Sequence, residues 1–209
     1  MYKLKTALML AVTLLATQAF AQSGNNDNLL DANLASTDEL TAIDSIDATL
    51  ASAIESGRPY TTAKALDDVL AGSLSEDQRE AVYGALFRQI NLNTASREEI
   101  MLIPEMSSRM AHEFEEYRPY TSLEQFRREM GKYVDDAEVA RLEQYVFIPM
   151  NLNSASSEDF GTIPGMSRKM VHEFEEYRPY DSMEQFRREI GKYVDDDEVA
   201  RLESYVTLD

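Results

Sequence analysis

NLNTAS, from Asn91 to Ser96, is followed 60 residues later by NLNSAS, from Asn151 to Ser156. The longer stretch HEFEEYRPY begins at His112 and again at His172, and DANLAS, a fainter form of the first motif, begins at Asp31. Repetition at a fixed period of this size is typical of proteins built from repeated structural units. The three predicted units are residues 31–90, 91–150 and 151–209.

Helix-capping signals divide each unit. Ser96 followed by Glu99 is a capping box, Ser122 with Gln125 opens another helix that Gly131 closes, and Asp135 opens a fourth. Apolar residues recur at helical spacing between Ser107 and Tyr117, which predicts the second helix, while Pro104 is predicted to end the first. No window alternates in the manner of a strand. The sequence predicts an all-α fold with four short helices per unit. Equivalent starts occur at Ser156, Ser182, Asp195, Ser36 and Ser75.

The first residues have the layout of a secretory signal peptide. Lys3 and Lys5 precede an apolar run over 7–16, and a small-x-small site ends at Ala21. Cleavage after Ala21 predicts a periplasmic or secreted protein that is not inserted in the membrane once the signal is removed. Residues 22–30 read as a flexible leader.

The composition favours cationic partners. The chain has a formal net charge of −18, and loss of the signal segment with its two lysines leaves it near −20. Nucleic acids and anionic membranes are bound mainly through Lys and Arg, so this charge disfavours both. The chain contains no cysteine, which excludes disulfides and cysteine nucleophiles.

A short helix, a tight turn and a second short helix, twice per unit, describe a tandem helix-hairpin-helix. The opening N-L-N-[ST]-A-S, the turn Ile163-Pro164-Gly165-Met166 and the segment from Pro119 to Phe126 resemble the competence protein ComEA family. The resemblance covers nearly all of the chain after the leader. It implies an exported protein that binds double-stranded DNA during uptake, although the fold also serves in protein–protein modules.

In that family the hairpin turn carries Gly-hydrophobic-Gly, which lets backbone amides approach a phosphate. The corresponding triplets begin at Ser45, Glu105 and Gly165, so that only Gly165 matches. Aspartates follow the second hairpins, where they are expected to cap the amides that DNA would need. The DNA-binding candidates are Gly165, Met166, Ser167, Arg168, Lys169, Gly191 and Lys192.

A second set of residues points to a protein partner. Arginines and tyrosines favour protein interfaces, and both recur in the second and third units. Two tyrosines flank each Arg-Pro pair, and at least one tyrosine of each such bracket is expected in the core. Arg128 and Arg188 also fit surface ion pairs with Glu124 and Glu184. Glu113 and Glu173 are expected to be exposed beside them. The partner-binding candidates are Arg118, Tyr120, Arg127, Arg128, Arg178, Tyr180, Arg187 and Arg188.

Catalysis is not expected. His112 and His172 have glutamates three and four residues later, a spacing compatible with a metal, but a solvated helix face explains it as well. No nucleophile elbow, phosphate-binding loop or zinc motif is present. We expect no metal and no cofactor. The sequence favours an adaptor that binds a basic or repetitive protein, with DNA binding through the third unit as the alternative.

Overall fold

The computed structural model describes residues 23–24 and 29–209. Within these residues the chain forms twelve short helices and six two-residue strands. The predicted signal peptide and its cleavage site lie outside the described residues. The helices are α1 (Thr37–Thr41), α2 (Ala48–Ser56), α3 (Ala63–Ala71), α4 (Glu76–Tyr83), α5 (Arg97–Ile100), α6 (Ser108–Glu116), α7 (Leu123–Met130), α8 (Asp136–Glu143), α9 (Ser157–Phe160), α10 (Arg168–Glu176), α11 (Met183–Ile190) and α12 (Asp196–Glu203).

The predicted helix starts are confirmed, because each predicted capping residue is the N-cap of a helix. Ser96 accepts a hydrogen bond from the Glu99 amide while the Glu99 carboxylate accepts one from the Ser96 amide, a complete capping box. Helix α3, whose start was not predicted, has Thr62 as its N-cap, and the Thr62 hydroxyl accepts a hydrogen bond from the Ala65 amide. Helix α5 ends at Ile100, four residues before Pro104, because the amides after its C-cap bond to carbonyls three residues back instead of four.

The fold is helix-rich, as predicted, but it also contains strands that were not predicted. The chain divides into three stretches of four helices, residues 30–87, 90–147 and 150–207. In each stretch the strand before the first helix pairs in parallel with the strand after the fourth helix. Two-residue strands are too short to show alternation, and their partners lie 56 residues away. The strands are β1 (Leu30–Asp31), β2 (Leu86–Phe87), β3 (Ile90–Asn91), β4 (Val146–Phe147), β5 (Met150–Asn151) and β6 (Val206–Thr207).

Two apolar cores lie behind these elements. One is continuous from Leu29 to Ile148, and the other extends from Phe147 to Val206. Edge-to-face phenylalanine pairs recur in them, with ring centroids 5.2 Å apart for Phe114 and Phe126. The first and second stretches therefore share a core, whereas the third has its own.

Part of the predicted flexible leader is ordered. Ser23 and Gly24 lie against β4, where the Gly24 amide donates to the Val146 carbonyl at 3.2 Å. Ser23 is only 5% exposed, and its hydroxyl donates to the Gln89 side chain at 2.9 Å. The expectation of flexibility is wrong for these two residues because the free edge of β4 and Gln89 supply partners for their polar groups.

Candidate binding surfaces

The first hairpin turn of each stretch has the same left-handed backbone. Ser45, Glu105 and Gly165 have φ angles of 73°, 59° and 73°. Residues with a side chain are disfavoured in this region, by about 1–2 kcal/mol. Of these three residues, Gly165 alone forms the turn without a side chain.

The helices that follow these turns hold their own amides. Asp47 accepts hydrogen bonds from the amides of Thr49 and Leu50 at 2.9 and 2.8 Å, and Ser167 accepts one from the Met170 amide at 3.1 Å. At the second hairpins, Asp135 and Asp195 cap helices α8 and α12. Carboxylates at these positions repel a phosphate and use the donors that it would need.

The Gly165 turn also faces other parts of the protein. A Cβ atom at this position would lie 2.9 Å from Leu34 Cδ1, and Arg201 donates to the neighbouring Pro164 carbonyl at 2.7 Å. Arg168 and Lys169 remain exposed at the start of α10. The Lys169 ammonium also lies 5.4 Å from the Tyr193 ring centroid. Two exposed cations therefore lie beside Gly165, on a turn that the first stretch partly covers.

The remaining DNA-binding candidates sit elsewhere on the third stretch. Gly191 ends helix α11, and a Cβ there would lie 2.8 Å from the Arg187 carbonyl oxygen. Lys192 forms an ion pair with Glu189, and that hydrogen bond raises the pKa of Lys192. Its ammonium also lies 4.9 Å from the Tyr177 ring centroid. The charge of Lys192 is thus already partnered within the chain.

Four of the partner-binding candidates have structural roles. Arg118 Nε and Nη2 donate to the carbonyls of Leu92 and Ala95 at 2.6 and 2.7 Å. The Tyr120 amide donates to Asn93 Oδ1 at 2.6 Å, and Tyr120 is 1% exposed. Arg178 and Tyr180 make the same contacts 60 residues later. The expected core tyrosine of each bracket is confirmed, and neither tyrosine is part of a free surface.

The other four arginines are exposed but paired. Arg127 binds both carboxylate oxygens of Glu143, at 2.5 and 2.6 Å, and Arg187 binds Glu203 in the same way. Arg128 contacts Glu129 at 2.9 Å and Arg188 contacts Glu189 at 2.8 Å. The prediction that Arg128 and Arg188 pair with Glu124 and Glu184 is therefore wrong, because the adjacent glutamates lie closer to their guanidinium groups.

The glutamates expected on this surface are buried. Glu113 is 8% exposed and Glu173 is 6% exposed, so the expectation that they are exposed is wrong. The hydrogen bond with Tyr117 raises the pKa of the Tyr133 hydroxyl, and so, to a smaller extent, does the Glu113 carboxylate as an acceptor of the same hydroxyl. Tyr117 and Tyr133 are themselves joined hydroxyl to hydroxyl at 2.8 Å. Glu113 thus belongs to a polar cluster beneath the helix surface.

The histidines pair along their own helices. His112 Nε2 lies 3.3 Å from a Glu116 oxygen, and His172 lies 3.4 Å from Glu176. In residues 23–24 and 29–209 no three His, Cys, Asp or Glu side chains are grouped so that they could hold a metal ion.

A buried arginine that the sequence analysis did not single out joins three parts of the chain. Arg88 is fully buried and donates to the Tyr60 carbonyl at 2.9 Å, to the Tyr205 hydroxyl at 2.8 Å and to Ser204 Oγ at 2.6 Å. Its guanidinium also lies 4.4 Å and 5.2 Å from the ring centroids of Tyr205 and Phe147. The signal available in the sequence was an arginine placed between the apolar pair Leu86-Phe87 and Ile90.

Comparison with known protein families, curated proteins and solved structures found no match for this chain. None of the helices that the described residues form is long and apolar enough to cross a membrane.

Proposed function

We propose that this chain is an exported, non-catalytic protein of three tandem helix-hairpin-helix units, similar to the ComEA family, that acts as a protein-interaction adaptor. The 60-residue recurrence supports the repeat organisation, and so do the contacts that recur with it. An arginine binds two carbonyls of the unit's opening motif at Arg58, Arg118 and Arg178 alike.

The observation that carries the adaptor function is the chemistry at the helix N-termini. A phosphate needs free amides and a nearby cation, whereas Asp47, Asp135 and Asp195 fill these positions with carboxylates. Together with a net charge of −18, this arrangement favours a basic protein over DNA. The protein partner is therefore expected to carry an excess of lysine and arginine.

The alternative function is binding of double-stranded DNA during uptake. One observation favours it: Gly165 keeps the left-handed turn without a side chain, and Arg168 and Lys169 are exposed beside it. In this alternative the third unit makes most of the contacts.

Titration of a fluorescent DNA duplex at several salt concentrations separates the two functions. With two exposed cations, Arg168 and Lys169, beside the Gly165 turn, we expect binding weaker than about 1 μM at physiological salt and a log–log salt slope of about −2. The double charge reversal Arg168→Glu and Lys169→Glu then removes what binding remains. The matched control reverses Arg127 and Arg128 on helix α7, which changes the net charge equally on a different helix.

Submicromolar duplex binding that only the first double variant abolishes would establish the DNA function and reject the adaptor. For the adaptor itself, chemical cross-linking of the intact protein in periplasmic extract, followed by mass spectrometry, is expected to recover basic proteins. Recovery of nucleic acid or of acidic proteins alone would contradict it.

A further inference from the structure

A cleft lies between the second and third stretches. It has a volume of about 660 Å³ and lies where the loop carrying Tyr120 and Thr121 faces β5 and β6. Ile148 and Met150, which are 4% and 2% exposed, form its apolar floor. Cavities of roughly 300–1,000 Å³ are typical of ligand sites.

The equivalent cleft between the first and second stretches is much smaller, at about 200 Å³. Glu99 closes it, because Oε1 accepts a hydrogen bond from the Ala63 amide at 3.2 Å, across the cleft. The residue at the same position of the larger cleft is Asp159, whose side chain is one methylene shorter. Each acid accepts from the capping serine with one oxygen, Glu99 Oε2 from Ser96 and Asp159 Oδ2 from Ser156, so the contact that only the longer Glu99 makes is the one from Oε1 to the Ala63 amide. The shorter acid leaves the second cleft open.

The lining of the open cleft selects for positive charge. It includes the carboxylates Asp159 and Asp209 and hydroxyl and amide groups such as Ser154 and Asn151, but no lysine, arginine or histidine. An anion such as a phosphate would find no cation there. A lysine or arginine side chain fits both parts of the cleft, since its methylene stem packs on apolar groups while its charge meets the carboxylates.

We propose that this cleft receives a lysine or arginine side chain from an extended segment of a protein partner. The inference rests on the proposed adaptor function, whose partner it describes and whose contact it places between the second and third stretches. The narrow cleft closed by Glu99 has no such role.

The test is a titration of the ¹⁵N-labelled intact protein with a blocked Gly-Lys-Lys-Gly peptide at about 150 mM salt, where long-range attraction is screened. A Gly-Glu-Glu-Gly peptide serves as the charge-reversed control. We expect saturable shifts of the amide signals at Thr121, Ser154 and Thr207 with the lysine peptide only.

Two arginine substitutions give the matched comparison. Thr121→Arg places a cation in the open cleft and should weaken peptide binding at least about tenfold, whereas Thr61→Arg adds the same charge to the narrow cleft and should leave it within about twofold. Asp209→Asn should weaken binding by up to about fivefold, the range of one exposed ion pair. Thermal melts confirm that each variant is folded.

Shifts spread over the whole acidic surface, or equal losses from both arginine variants, would overturn the proposal, since binding would then depend on net charge alone. Absence of any shift would also overturn it. Neither result decides the proposed function, which the DNA titration and the cross-linking experiment test separately.

Discussion

Replacing Arg88 with methionine tests whether one buried guanidinium joins the two cores. Methionine conserves most of the volume but removes the hydrogen bonds to Tyr60, Ser204 and Tyr205. The Tyr60 carbonyl keeps a bond from Asn33 at 3.0 Å, and Ser204 keeps its own donation to a backbone carbonyl. Hydrogen bonds from a charged donor contribute about 1.5–3 kcal/mol each, and relief of the buried charge offsets part of their loss. We expect a net loss of about 3 kcal/mol in the free energy of unfolding.

Urea denaturation followed by circular dichroism measures this loss. Arg187→Met is the matched control, since its exposed ion pair with Glu203 contributes about 0–1 kcal/mol. We also expect the Arg88 variant to unfold in two transitions, because the core over 147–206 loses its polar link to the core over 29–148. A loss no larger than that of the control, with a single transition of unchanged slope, would refute the assigned role of Arg88.

Three further predictions concern backbone and titration. Glu105→Gly should raise the free energy of unfolding by about 0.5–1 kcal/mol, because it relieves a left-handed backbone, whereas Glu105→Ala should not; thermal melts distinguish them. Burial raises the pKa of Tyr60 from 10.0 to about 12. The neutral hydroxyl therefore stabilises the fold fully below pH 10, and this stabilisation is lost as the pH rises through about 12. In the Tyr60→Phe variant the free energy of unfolding should fall less steeply with pH in this range, by up to about 1.4 kcal/mol per pH unit. Urea titrations at several pH values measure this slope. Gly24→Ala would place a Cβ 1.7 Å from the Glu143 carbonyl oxygen, so we expect detachment of Ser23 and Gly24 and faster hydrogen exchange of the Gln89 side-chain amide; unchanged exchange would contradict the docking.

The sequence predicted the features that depend on neighbouring residues. A capping serine or aspartate acts on amides two or three positions later, so the helix starts at Ser96, Ser122 and Asp135 followed from local sequence. The same reasoning applies to the turns, because Gly165 determines the backbone at its own position and Asp47 caps the helix that follows it directly.

Features that depend on distant partners were not predictable. The strand pairing of β1 with β2 leaves no periodic pattern in two residues, and the sequence cannot show which groups a fold brings to Arg88. The exposure of Glu113 was predicted wrongly for the same reason: its charge favours a solvent-exposed position, yet it is buried and interacts with Tyr133, from the turn that precedes helix α8. The sequence shows that Asp159 is one methylene shorter than Glu99, but only the structure shows that this difference leaves one cleft open and the other closed.

The parallel strand pairs have a mechanical consequence. The chain enters at the start of β3 and leaves at the end of β4, so a pull on its two ends slides the strands in opposite directions. The hydrogen bonds from the Ile90 amide to the Tyr145 carbonyl and from the Leu92 amide, one residue after β3, to the Phe147 carbonyl are then loaded together rather than one after the other. We expect single-molecule stretching to meet its resistance at these pairs, and unfolding at forces typical of sequential unzipping would contradict this. A protein held between two partners would thus carry tension through three shear-loaded clamps in series along the described chain.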